Sequence, residues 1–82
     1  MHLEIITPDK TIFEGEIISA TFPGSKGSFQ VLKDHAALIS PLDKGKVLYE
    51  TKNNEHEIAV AGGIVEVLNN KIVLLAEESK EE

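Results

Sequence analysis

Ile64-Val65-Glu66-Val67-Leu68-Asn69-Asn70-Lys71-Ile72-Val73-Leu74-Leu75-Ala76 sets two apolar, β-branched runs on either side of an Asn-Asn pair. Asparagine tolerates the positive φ that a tight primed turn requires, so this stretch predicts a β-hairpin. Toward the amino terminus the punctuation stays dense and the runs between breaks stay short. Ala61-Gly62-Gly63 is expected to end a strand over His56 to Val60, and Lys52-Asn53-Asn54-Glu55 links that strand to Lys46 to Thr51, which Gly45 opens. Leu38 to Ser40 reads as a strand broken by Pro41. Pro23-Gly24-Ser25-Lys26-Gly27 is the strongest loop signal, and it leads into Ser28 to Leu32, where Phe29 and Val31 alternate with polar neighbours. Glu16 to Phe22, Thr11 to Glu14 and Leu3 to Thr7 complete the set. Gly15 predicts a bulge or bend, and Thr7-Pro8-Asp9-Lys10 a turn.

Roughly nine to ten short strands cannot cover both faces of one flat sheet, so the expectation is an all-β, two-sheet β-sandwich. It should occupy residues 1–76, with an acidic, disordered tail over 77–82. At 82 residues the chain holds a single core, and without cysteine it has neither a disulfide framework nor a thiolate metal site. Fourteen acidic residues stand against eight basic ones, all lysine, for a net charge of -6. Scattered lysines on an acidic chain argue against nucleic acid, whose phosphates reward clustered cations, and against anionic lipid. Met1 to Thr7 has Glu4 inside it and no basic region before a long apolar run, so it does not read as a signal peptide. The longest apolar run, Ile72 to Ala76, is far short of the roughly 20 residues of a membrane-spanning helix. Any membrane association is expected to run through a partner.

The residues that carry chemistry in other proteins form no convincing site here. His2, His35 and His56 lack the spacing of metal ligands on one element. Asp34, His35 and Ser40 supply the letters of a hydrolytic triad, but alternation along an extended chain turns Asp34 away from His35. The same alternation separates His56 from Glu55 and Glu57. Gly24-Ser25-Lys26-Gly27 lacks the spacing and following helix of a phosphate loop, and Gly62-Gly63 leads into a strand. No catalytic residue, cofactor or metal is expected. One alternative is an Asp43-Lys44 turn modified at Lys44, as in lipoyl and biotinyl carrier domains, although Leu42 and Gly45 do not match the usual neighbours of a carrier lysine.

The segment Gly27-Ser28-Phe29-Gln30-Val31-Leu32-Lys33-Asp34-His35-Ala36-Ala37-Leu38-Ile39 resembles a stretch of the epsilon subunits of rotary F-type ATP synthases, written approximately G-x-[LF]-G-[IV]-L-P-x-H-A-P-L. Leu3-Glu4-Ile5-Ile6-Thr7-Pro8, Phe13-Glu14-Gly15 and Ala61-Gly62-Gly63-Ile64-Val65-Glu66-Val67 are similar to further landmarks of that family, in the same order. Gln30 stands where a glycine is usual, and Lys33 and Ala37 where prolines are usual. The resemblance implies a β-sandwich and a non-catalytic rotor subunit of the central stalk of a proton-translocating ATP synthase. Such a subunit couples a ring of c subunits to the gamma subunit and the catalytic head. It implies a c-ring contact at Lys26, Gly27, Ser28 and Phe29, and a gamma contact at His35, Ala36, Leu38, Ile39 and Leu42. It further implies a peripheral position on the cytoplasmic face of a bacterial inner membrane, or the equivalent organelle membrane. Only five residues follow Glu77, so the helical hairpin of longer family members, with its inhibitory and ATP-binding roles, is not expected.

Overall fold

The computed structural model describes residues 1–78, which form eight strands: β1 (His2–Ile6), β2 (Thr11–Glu16), β3 (Ser19–Phe22), β4 (Phe29–Val31), β5 (Leu38–Leu42), β6 (Gly45–Glu50), β7 (Glu55–Leu68) and β8 (Lys71–Glu78). The strands hydrogen-bond in the order β2-β1-β8-β7-β6-β3-β4, with β5 paired to β7. The amino-terminal half of β7 pairs with β6 and the carboxy-terminal half with β5, while β8 runs beside the latter half. One long strand thus belongs to two layers, β2-β1-β8-β7-β5 and β7-β6-β3-β4. β1 and β8 are parallel, and every other pairing is antiparallel. Leu3, Ile5, Val65, Val67, Ile72 and Leu74 of the first layer share one core with Ala20, Phe22, Val31, Val47 and Val60 of the second.

The count is eight because Gly62-Gly63 bends a strand where the sequence suggested its end. β7 continues through the pair for 14 residues. Ahead of the glycines the inward side chains are His56, Ile58 and Val60; beyond them they are Val65 and Val67, so the set changes parity. Its cause is a slip of register against β8 between Val60 and Gly62, which leaves Ala61 as an extra residue. Because side chains alternate with period two, one extra residue exchanges the faces, and β7 can then serve both layers. The glycines have φ of 156° and 149°, and a Cβ on Gly63 would lie 2.5 Å from the Leu75 carbonyl oxygen.

Two other breaks also fall elsewhere than expected. Pro41 sits inside β5, which tolerates a residue without an N–H because β5 takes β7 as its one ladder partner. Gly15 lies within β2, opposite Leu3, and the chain leaves the first layer two residues later. There Ile17 N–H donates to the Met1 carbonyl (2.8 Å) and Ile18 N–H to the Glu50 carbonyl (2.7 Å), carrying the backbone from one layer to the other. Ile17 drops into the core while Ile18 faces out. The hairpin at Asn69 and Asn70 has φ of 51° and 62°, the paired positive values of a type I′ turn. At the other end β8 extends to Glu78, so Glu77 and Glu78 are strand residues, and 79–82 lie outside the described residues.

Candidate partner-binding surfaces

The β3–β4 connection carries Lys26, Gly27 and Ser28 and leads into Phe29, the first residue of β4. Gly27 N–H donates to the Gly24 carbonyl (2.9 Å), which closes the turn, and Lys26, Gly27 and Ser28 project into solvent. Phe29 behaves differently: half-buried, its ring lies 5.6 Å from that of Phe22. The ring reaches this position across Gly24, where a Cβ would meet it at 2.9 Å. The base of the loop is fastened to the end of β5. Ser25 donates to the Pro41 carbonyl through both its N–H and its hydroxyl (each 3.1 Å), and Asp43 N–H donates to the Pro23 carbonyl (2.8 Å). This joins the two segments singled out by resemblance as contact regions.

The residues from His35 to Leu42 divide by alternation. Leu38 turns inward against the core and Leu42 is buried in it, so neither offers a side chain to a partner, whereas Ala36 is exposed and Ile39 is 71% exposed. His35 is half-buried. Its N–H donates to the Leu32 carbonyl (3.1 Å), and its Nδ1 lies 2.8 Å from the Ala36 carbonyl. A carbonyl only accepts, so Nδ1 carries the proton. Asp34 does not touch the His35 ring: its backbone N–H and carboxylate both bond to the Asn70 side chain, and Ser40 Oγ donates to the Pro41 carbonyl. Each member of the apparent triad is engaged elsewhere.

A larger surface escaped the sequence reading. On the outer face of the first layer, Pro41 pairs with Ile64, Ile64 with Leu75, and Leu75 with Ile6, an apolar row across four strands. Ile64 is 50% and Leu75 54% exposed. The adjacent row is Ile39, Glu66, Val73 and Glu4, and Leu68 lies beyond it. A shallow depression bordered by Ile6, Pro8, Ile64 and Leu75 marks the middle. The available signal was that Ile72-Val73-Leu74-Leu75 is apolar at every position, although a sandwich strand needs only alternate ones. Contiguous exposed apolar surface of this kind marks interaction sites.

The remaining polar clusters hold the body together. The Met1 ammonium lies 3.1 Å from Glu16, and His2 stands between Glu14 and Glu16, 3.3 Å from each. Hydrogen bonds from that ammonium first, and from His2 second, lower the Glu16 pKa below its ordinary value. His56 stacks on Tyr49 with centroids 5.0 Å apart, Phe13 lies 4.6 Å from Tyr49, and burial raises the Tyr49 pKa. Glu55 and Glu57 point out while His56 points in, as the alternation required. Glu57 binds Lys46 at 2.7 Å and raises its pKa, first through that hydrogen bond. Lys44 is exposed in the turn between β5 and β6.

Residues 1–82 match the family described as the ATP synthase delta/epsilon chain β-sandwich domain. The ATP synthase epsilon chain of Chlorobaculum tepidum is 49% identical over 77 residues, covering 93% of this chain and 88% of that one. The ATP synthase epsilon chain of Nitratidesulfovibrio vulgaris is 38% identical over 80 residues, and there the match spans 98% of this chain but 60% of the relative. Among solved structures, a chain of the Euglena gracilis mitochondrial ATP synthase superposes with a TM-score of 0.86 at 20% identity, covering 93% of this chain and 49% of the other. At that identity the likeness is one of fold.

Proposed function

The chain belongs to the ATP synthase delta/epsilon-chain β-sandwich family, and from that premise we propose that it is a non-catalytic rotor subunit of an F-type ATP synthase that couples the c-ring to gamma. Coupling needs a stiff body and defined contact faces. A close-packed core shared by two sheets deforms little, which supplies the first. The observation that carries the second is the exposed apolar row from Pro41 to Ile6 with Ile39 beside it, continuous with β5. Gamma docks at His35, Ala36 and Ile39, with Leu38 and Leu42 shaping that face from beneath. The c-ring contact is the loop of Lys26, Gly27 and Ser28, backed by Phe29.

The assembled enzyme is membrane-bound, while no helix among the described residues is long and apolar enough to cross a membrane. In this reading the subunit sits peripherally, held by its protein partners, on the cytoplasmic face of a bacterial inner membrane or the equivalent organelle surface. A carrier role at Lys44 gains nothing from the family match, and the intact mass of the purified chain should show no lipoyl or biotinyl addition.

The test is affinity capture of the tagged chain from solubilised native membranes, followed by mass spectrometry. Recovery of gamma, alpha, beta and c subunits is expected, and Ile39→Asp should deplete all of them together. Recovery of a dehydrogenase or carboxylase complex in their place would end the rotor reading.

A further inference from the structure

Asp34 and Asn70 are 36 residues apart in sequence, yet each satisfies the other. Asp34 N–H donates to Asn70 Oδ1 (2.6 Å), and Asn70 Nδ2 donates to Asp34 Oδ1 (2.9 Å). Both residues hold left-handed backbone, with φ of 65° and 62°, so both side chains are presented from tight turns. Asn70 is itself fixed: it is the second residue of the β7–β8 turn, and its carbonyl accepts from His2 N–H (2.9 Å) at the head of β1. By contrast, Lys33, Asp34, Ala36 and Ala37 are exposed and bury nothing in the core. His35 is half-buried, but its N–H and Nδ1 bond to Leu32 and Ala36 beside it, so among the described residues the reciprocal pair is what hydrogen-bonds the 33–37 loop to the sheet.

We propose that Asn70 is a positioning residue that clamps the 33–37 loop through Asp34, so that His35 and Ala36 meet gamma already in their bound conformation. This rests on the reading that the loop docks on gamma. A loop ordered beforehand does not lose its conformational freedom on binding, and the benefit appears as affinity. The charge-assisted bond from the amide to the carboxylate is the stronger type of hydrogen bond, and the two bonds together fix both position and orientation.

The experiment titrates gamma from the same organism's synthase against the full chain and three variants, with amide hydrogen exchange of residues 33–37 read in parallel. Asn70→Gly keeps the left-handed turn and deletes only the amide. Asn70→Asp sets a carboxylate against that of Asp34. The double change Asp34→Asn with Asn70→Asp reverses the polarity, letting the carboxylate at position 70 accept from both the backbone N–H and the side-chain amide at position 34. Asn70→Gly is expected to speed exchange in the loop and weaken gamma binding about tenfold, Asn70→Asp at least as much, and the double change to restore both readouts. A merely structural role would not show rescue confined to loop exchange and affinity while thermal stability stays level across the set. Unchanged loop exchange in Asn70→Gly would overturn the clamp. Faster exchange with unchanged affinity would refute its role in docking, leaving Ile39→Asp to report on the docking face alone. If the unaltered chain does not bind gamma, the docking reading falls, and the proposal with it.

Discussion

Replacing Gly63 by alanine separates two costs that the fold has combined. The backbone at Gly63 has φ of 149°, and a Cβ there would stand 2.5 Å from the Leu75 carbonyl oxygen and 3.2 Å from the Ala76 Cα, both main-chain atoms of β8. Holding an L-residue in such a conformation costs about 1–3 kcal/mol. Displacing a packed strand to relieve the overlap costs about 1–3 kcal/mol more. Restricting the unfolded chain returns about 0.4–1 kcal/mol. The net loss of about 1–5.6 kcal/mol is, at its upper end, comparable to the whole stability of a domain this small. At about 4–8 °C per kcal/mol, the midpoint should fall by at least about 4 °C, and at the upper end of the range the fold is lost. Gly27→Ala is the internal control: φ is 125°, but no atom lies within 4 Å of the new Cβ, so conformational strain acts alone. Urea unfolding followed by far-ultraviolet circular dichroism would measure both variants. If Gly63→Ala comes within about 1 kcal/mol of Gly27→Ala, the close approach of β7 and β8 is not what requires glycine, and the reasoning is wrong.

Phe22→Ala removes a fully buried ring that also meets Phe29, and should cost about 3–5 kcal/mol by urea titration; a loss under about 1 kcal/mol would contradict the packing. Ile39→Asp and Leu75→Lys alter residues 71% and 54% exposed, so each should leave stability within about 0.5 kcal/mol while weakening capture of gamma; a cooperative loss of fold would show that the face is not free. Because the Glu16 pKa is lowered on folding from 4.5, its contribution is present above that value and fades as pH falls through the folded pKa. The thermal midpoint of the unaltered chain should therefore drop more steeply below pH 4.5 than that of Glu16→Gln, and parallel curves would dismiss the ammonium and His2 contacts as stabilising.

Where an element depends on local chemistry, the sequence showed it. Asn69-Asn70 could be read as a primed turn because few residues accept positive φ, and the alternation in Phe29 to Val31 named the inward face. Breaks were misjudged where tertiary context overrides local preference. Proline normally ends a strand, but Pro41 lies on one with a single ladder partner. Paired glycines normally end one too, but Gly62-Gly63 absorb a parity change that only a strand shared by two layers needs. Of the residues chosen by resemblance, Leu38 and Leu42 lie inward because alternation places them there, a division available from the spacing alone. The apolar row was harder to see. Pro41, Ile64, Leu75 and Ile6 come from four strands and meet only through register, which no linear pattern encodes. The Asp34–Asn70 pair is hidden for the same reason.

The parallel seam between β1 and β8 sets a timetable for folding. His2 to Ile6 face Lys71 to Leu75 across that seam, so the first strand made must wait for the last to emerge before its ladder is complete. Until then Leu3 and Ile5, fully buried in the finished molecule, lack the neighbours Ile72 and Leu74. Closing a contact across almost the entire chain takes its entropy loss before any pairing is gained, which places this domain among slow, late-committing folders. A nascent chain from which β8 has not yet emerged should thus remain open along its first strand, and the emergence of β8 should be the event that lets cooperative folding begin.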